Sequence, residues 1–210
     1  MKLFDLDGTL LDSNGIWQEI DVAFLGRRGI PWSEEYNQGV IHAIFPTAAQ
    51  FTREFCHLEE SPEEIMAEWL DMAREGYAHT LPAKEGALDY LSQCAARGER
   101  MALFTSAEPS LCRAALENRG FGRYLTQVVF AQELGMEKRS PAAFREAARR
   151  LGVSPAEITF FDDSPVACRG AREAGCTVIG VYDPLFAAYE EEMRGFCDGY
   201  IHSFRELIEE

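Results

Sequence analysis

Short apolar runs alternate with longer amphipathic stretches over most of the chain. Residues 2–5 (KLFD), 100–104 (RMALF), 127–130 (QVVF), 157–161 (EITFF) and 177–181 (TVIGV) read as buried strands, with 199–202 as a weaker sixth. Helical patterns fall between them over residues 85–97, 107–119, 140–151, 164–174 and 185–194. Ser140-Pro141 and Pro109 mark helix starts, and Gly98, Gly120 and Gly152 mark helix ends. Ser203-Phe204-Arg205-Glu206 is a capping-box pattern that predicts a last short helix. Strands apolar on both faces and joined by helices imply an α/β fold with an open parallel sheet.

One stretch breaks the alternation. Residues 13–81 carry helical periodicity and no convincing strand, which predicts a helical insert after the first strand. Ile16, Ile20, Ala23 and Phe24 share one face of a first helix, which ends at Gly29-Ile30-Pro31. A second helical region over 33–58 is interrupted at Pro46. A third starts at Ser61-Pro62-Glu63-Glu64, a capping box with proline at the first helical position. Met66, Trp69, Met72 and Ala73 follow there at helical spacing and read as internal packing of the insert. The expected organisation is therefore a core of 1–12 and 82–210 with an inserted domain at 13–81.

At 210 residues the chain has room for such a core and insert, and its 47% hydrophobic and 26% charged content argues against disorder. No apolar stretch approaches the roughly 20 residues that span a bilayer. Asp5 and Asp7 also interrupt any signal-peptide core, so the expectation is a soluble, untargeted, cytoplasmic protein. The net charge of −15 argues against nucleic acid as a partner. It repels small phosphate esters too, so such a substrate needs a local cation. Cysteines 56, 94, 112, 168, 176 and 197 form no C-x-x-C pair and read as reduced thiols. Histidines 42, 57, 79 and 202 have no metal-ligand spacing and read as solvated or satisfied residues, which argues against zinc.

In open α/β sheets the site lies at the carboxyl ends of the strands. The first predicted strand delivers Asp5 and Asp7 there, and the second delivers Thr105 and Ser106. Lys138 follows the third, and the fourth ends in Asp162-Asp163. Unit charges ~4 Å apart repel by about 4 kcal/mol at an effective dielectric near 20, so four converging carboxylates call for a cation. Mg²⁺ suits them, because it binds a few carboxylates together with substrate phosphate. Lys138 adds a further positive charge, and the site then accepts a phosphate that the overall field turns away.

DLDGTL at 5–10, an apolar strand ending at Thr105, Lys138 before a helix, and Asp162-Asp163 together resemble the four motifs of the haloacid dehalogenase-like hydrolases. The insert is similar to the helical cap of their phosphoglycolate phosphatase and phosphoglucomutase branch. The resemblance implies a Rossmann-like core with an inserted α-helical cap. It makes Asp5 the nucleophile, which forms an aspartyl phosphate, and Asp7 the general acid and base. It makes Asp5, the Asp7 carbonyl and Asp163 the ligands of Mg²⁺, with Asp162 as a second acid near the metal. Thr105 and the amides of Leu6, Asp7 and Ser106 would bind the phosphoryl group, and Lys138 would stabilise charge. Gly8 would let the chain turn away from the phosphate without a Cβ in the way. Because dehalogenating members lack the second aspartate, Asp7 favours phosphoryl transfer.

The chain departs from the family pattern at Lys138-Arg139, where Lys-Pro is usual. Glu108 reads as a helix-start acid. Phosphosugar mutases of this branch carry a histidine on the first cap helix where this chain has Trp17. Trp17, Phe45 and Arg53 are the candidate specificity residues of the cap. The leading expectation is a Mg²⁺-dependent phosphatase of a small phosphorylated metabolite, monomeric or weakly dimeric. The alternatives are a phosphosugar mutase using the same aspartyl phosphate and an inactive scaffold, and the retention of every acid and the lysine argues against the latter.

Overall fold

The apolar runs form β1 (Lys2–Phe4), β2 (Met101–Thr105), β3 (Gln127–Phe130), β4 (Thr159–Asp162), β5 (Thr177–Val181) and β6 (Gly199–Ile201). All of them pair in parallel, in the order β3-β2-β1-β4-β5-β6. The weak sixth run is a full partner of β5, through Ile179–Gly199 and Val181–Ile201. The structure is a computed structural model describing residues 1–40, 43, 45–125 and 127–209. The expectation for His42, and part of that for the 33–58 helical region, lies outside these residues.

In chain order the α-helices are α1 (Asn14–Arg27), α2 (Glu34–Val40), α3 (Phe45–Phe55), α4 (Pro62–Glu75), α5 (Ala87–Ala96), α6 (Pro109–Asn118), α7 (Ala131–Leu134), α8 (Pro141–Leu151), α9 (Pro165–Ala174) and α10 (Glu190–Phe196). The chain divides into two compact units, Met1–Asn14 with Leu81–Glu210, and Gly15–Thr80.

In the first unit the strand alternation fills two layers. Leu3, Ala102, Phe104 and Phe160 pack with Phe144, Ala147 and Ala148 of α8 and with Ala167 and Ala171 of α9. The neighbouring positions Phe4 and Phe161 stack at 4.7 Å and join Tyr90 of α5 and Phe204. Each fully buried Phe or Leu contributes about 1.5–3 kcal/mol, which is why strands of three to five residues suffice. The expected 185–194 helix is broken: a 3₁₀ stretch over Pro184–Tyr189 kinks at Phe186 before α10 begins. Ser203 and Glu206 form the predicted capping box, on a 3₁₀ turn over Phe204–Leu207.

The two passages out of and back into this unit lie side by side. The Asp12 amide donates to the Pro82 carbonyl, and that of Lys84 donates to Leu10, both at 2.9 Å. Lys84 Nζ then reaches Asp183 Oδ2 at 2.9 Å, an ion pair with side chains only 12% and 2% exposed.

In the second unit α4 starts as expected, with Pro62 at its first position. Ser61 and Glu64 exchange the capping-box bonds. Ile65, Trp69 and Ala73 form its buried stripe, with Met66 and Met72 half-buried. One expectation needs correction. The buried face of α1 is Ile20, Phe24 and Leu25, whereas Ala23 is exposed and Ile16 half-buried. The stripe centres on the large Phe24, which meets Trp69 at 5.7 Å, so the small Ala23 is turned outward. The region read over 33–58 is indeed two helices, α2 and α3, and Pro46 opens the second. It sits in the first turn of α3, where the missing amide costs nothing.

Candidate active site

β1 lies between β2 and β4, so the chain leaves it toward one edge and returns on its other side at β4. That reversal opens a crevice beyond the carboxyl ends of β1 and β4, where ligands of open α/β sheets bind. Asp5 follows β1 directly, held to β4 by the hydrogen bond its amide donates to the Phe161 carbonyl at 2.9 Å. Asp162 closes β4 and Asp163 follows it. Thr105 closes β2, its hydroxyl accepting from the Ala107 amide at 3.0 Å. The loop after α7 brings Lys138 to the same place.

Lys138 is the hub. Its ammonium, 9% exposed, donates to Asp5 Oδ1 and to Asp162 Oδ2, the latter at 2.7 Å. Asp162 has its other oxygen bound by the Ser164 amide at 2.7 Å, so its carboxylate anchors the lysine and the turn into α9. A Cβ on Gly170 of α9 would stand 2.4 Å from the Lys138 carbonyl, so only glycine lets the lysine loop pack this closely. Arg139 points elsewhere: its side chain is 69% exposed and pairs with Glu137. The departure from Lys-Pro therefore places a charge on the surface and none in the site.

The loop after β1 winds tightly enough to present its acids. The Leu6 carbonyl accepts from the amides of Thr9, Leu10 and Leu11, while the Leu6 side chain is fully buried. Gly8 has φ +74°, and a Cβ there would come within 2.2 Å of both Asn14 Nδ2 and Asp163 Oδ2. Its bare Cα thus makes room for protein groups, where the resemblance had suggested room for phosphate. Asp7 Oδ1 accepts from the buried Ser13 hydroxyl at 2.6 Å. Asp163 accepts from Thr9 Oγ1 at 3.2 Å and from Asn14 Nδ2 at 2.8 Å, and its amide donates back to Thr9 Oγ1 at 3.1 Å.

Charge balance dominates the electrostatics. Burial pushes the Asp5 carboxyl up to about 8; Asp162 and Asp7 push the same way, and Lys138 opposes them. Burial likewise holds Asp163 well above the usual carboxylate range, with Asp162, Asp5 and Asp183 adding to it. Burial alone would lower Lys138, but Asp162 and Asp5 outweigh it and keep the ammonium above an ordinary lysine. One ammonium cannot neutralise this many acids, and Asp5 and Asp163 carry the remaining penalty. Among the described residues no three His, Cys, Asp or Glu side chains form a metal cluster. Two carboxylates and a backbone carbonyl are what the resemblance asks for. This under-neutralised, oxygen-only donor set fits a hard divalent cation.

The sign of the Asp5 shift gives a pH prediction for metal-free protein. Its folded pKa lies above the ordinary 3.8, so the folded state keeps a proton that the unfolded chain releases. That contribution is complete below the ordinary pKa and is lost as pH rises through the folded one. The melting temperature of wild type, relative to Asp5→Asn, should therefore fall from about pH 5 to about pH 8. Melts in chelator across that range check this, and parallel curves would contradict it.

Ser106 is exposed beside Thr105. Trp17, Phe45 and Arg53 belong to the second unit. There the Trp17 ring meets Phe45 at 5.6 Å and Tyr77 at 6.4 Å, and Arg53 is exposed. Glu108 is the N-cap of α6, its carboxylate accepting from the Ser110 and Leu111 amides, as its helix-start reading required. Ser13, Asn14 and Gly170 had no place in the motif reading, and Thr9 stood inside DLDGTL without a role of its own. Asp12-Ser13-Asn14 signals only a coming helix start.

The haloacid dehalogenase-like hydrolase family matches residues 3–175. Hexitol phosphatase A of Escherichia coli strain K12 is 29% identical, over 98% of this chain and 91% of its own. A fructose-1-phosphate phosphatase of the same strain is 26% identical, over 85% of this chain and 94% of its own. The fold is similar to that of CbbY from Rhodobacter sphaeroides, solved with phosphate, at a TM-score of 0.82 and 21% identity. That likeness covers 98% of this chain and 95% of CbbY. With its acids and lysine gathered at the switch point and the family match running from β1 through α9, the chain belongs to the haloacid dehalogenase-like hydrolases.

Proposed function

We propose that the protein is a Mg²⁺-dependent phosphatase that hydrolyses a small phosphorylated metabolite through a phosphoryl group carried on Asp5. The observation that carries this reading is the Asp5–Lys138–Asp162 bridge: a buried carboxylate at the switch point, beside a cation fixed from behind by a second acid. The named relatives support the phosphatase class, including a hexitol phosphatase, a fructose-1-phosphate phosphatase and phosphoglycolate phosphatases. The substrate class is accordingly a phosphorylated sugar, sugar alcohol or small hydroxy acid.

In the reaction an Asp5 oxygen attacks phosphorus, forming the new P–O bond as the bond to the leaving oxygen breaks. Asp7 gives its proton to the leaving alkoxide, then takes one from the water that attacks the phosphoaspartate and frees inorganic phosphate. Ser13 orients the Asp7 carboxyl through the 2.6 Å hydrogen bond. Lys138 and the Thr105 hydroxyl stabilise charge on the phosphoryl oxygens, with the backbone amides of Leu6, Asp7 and Ser106. Asp5, Asp163 and the Asp7 carbonyl would hold Mg²⁺, with Asp162 as a further acid nearby, and the bound ion would supply the charge neutralisation that an anionic nucleophile and phosphate need. The inserted unit is assigned as the cap, with Trp17, Phe45 and Arg53 as its specificity residues. Trp17 is counted among the substrate-binding positions. Among the described residues no helix is long and apolar enough to cross a membrane, and all six cysteines are free thiols. A cytoplasmic enzyme, monomeric or weakly dimeric, accords with this reading.

Phosphate release from a panel of sugar, hexitol and hydroxy-acid phosphates tests the proposal. Release is expected with Mg²⁺ and should drop to background in chelator. Metal-independent release would contradict it, as would interconversion of sugar phosphates without release, the mutase outcome.

A further inference from the structure

We infer that Asn14 is a positioning residue that sets the site's grip on its cation by holding the Asp163 carboxylate from the first residue of α1. This rests on the reading above, in which Asp163 is a metal ligand. Asn14 Nδ2 donates to Asp163 Oδ2 at 2.8 Å, and Thr9 Oγ1 donates to Oδ1 at 3.2 Å. Each oxygen of a carboxylate only 3% exposed thus has one neutral donor and keeps further lone-pair capacity for a metal. Gly8 permits the contact, because a Cβ there would lie 2.2 Å from both the amide and the carboxylate.

The residue type matters. A lysine or arginine at position 14 would neutralise Asp163 and take the cation's place, and an apolar side chain would leave Oδ2 without its partner. An amide donates and carries no charge, so it fixes the direction of the carboxylate without competing for it. Partners standing behind metal ligands are worth about 10–100-fold in metal affinity.

The test is calorimetric titration of Mg²⁺ into substrate-free wild type, Asn14→Ala and Asn14→Leu, with a melt of each in chelator. Expected is a dissociation constant about 10-fold higher in both variants with melts close to wild type. The Mg²⁺ concentration for half-maximal phosphatase rate should rise in parallel, while kcat at saturating Mg²⁺ stays near wild type. Unchanged affinity in both variants, with wild type binding Mg²⁺, would overturn the role of Asn14 and leave the site reading standing. Wild type that binds no Mg²⁺ would overturn both. Weaker binding only together with a collapsed melt in both variants would make Asn14 a fold residue and overturn the inference as well.

Discussion

Asp5→Asn should abolish turnover while leaving the protein as stable as wild type or more so. Replacing a residue that takes the bond-forming role costs roughly 10⁴–10⁶ in kcat, since the groups around it cannot act alone. Stability should move the other way in metal-free protein at neutral pH. Burial and the neighbouring acids disfavour a charge on Asp5, and an amide of the same shape carries none. Activity and melting temperature, measured on the same preparation, separate a lost nucleophile from a lost fold. A variant that keeps a tenth of wild-type kcat would exclude Asp5 from bond formation.

Lys138→Met should lose both properties together. The lysine is the bridge to Asp5 and Asp162, and without it two acids stay buried and unpaired. Removing one partner of such a buried arrangement costs about 3–5 kcal/mol, which for a chain of this size is roughly 10 °C in melting temperature. Loss of a preorganised charge at the phosphoryl group should lower kcat by a further 10²–10³-fold, by order of magnitude. Adding Asp162→Asn to Lys138→Met removes one unpaired charge and should recover part of the stability but none of the activity. Lys138→Arg should not rescue either property, because the planar guanidinium does not fit a pocket built for a compact ammonium. A Lys138→Met protein with wild-type melting would contradict the hub role.

Much of this site can be read along the chain, because strand ends in a parallel sheet are fixed by short apolar runs. MALFT and TFFD stop at Thr105 and Asp162, and KLF stops one residue before Asp5, so topology converts three distant positions into neighbours. What stayed hidden depends on side-chain directions that no local pattern encodes. Thr9, Ser13 and Asn14 follow DLDG in sequence, yet two of them serve Asp163, about 150 residues later. Lys84 and Asp183 are 99 residues apart and meet because the return passage lies against the loop that follows β5. Arg139 shows the converse: adjacency to Lys138 in sequence says nothing of direction, and a loop turned by one residue sends its charge into solvent. On α1 the apolar spacing was right but its centre was not, because Ala23 has too little surface to decide which way the helix faces.

The most direct test of the central claim is to stop the reaction in acid during the first turnover, with Mg²⁺ and the best substrate of the panel. Peptides are then read by mass spectrometry. The expected result is one phosphoryl group on the peptide carrying Asp5, decaying as phosphate appears and absent from Asp5→Asn. A phosphoryl group on another residue would contradict the account. So would a full burst of phosphate with no phosphoryl group on the protein at any time.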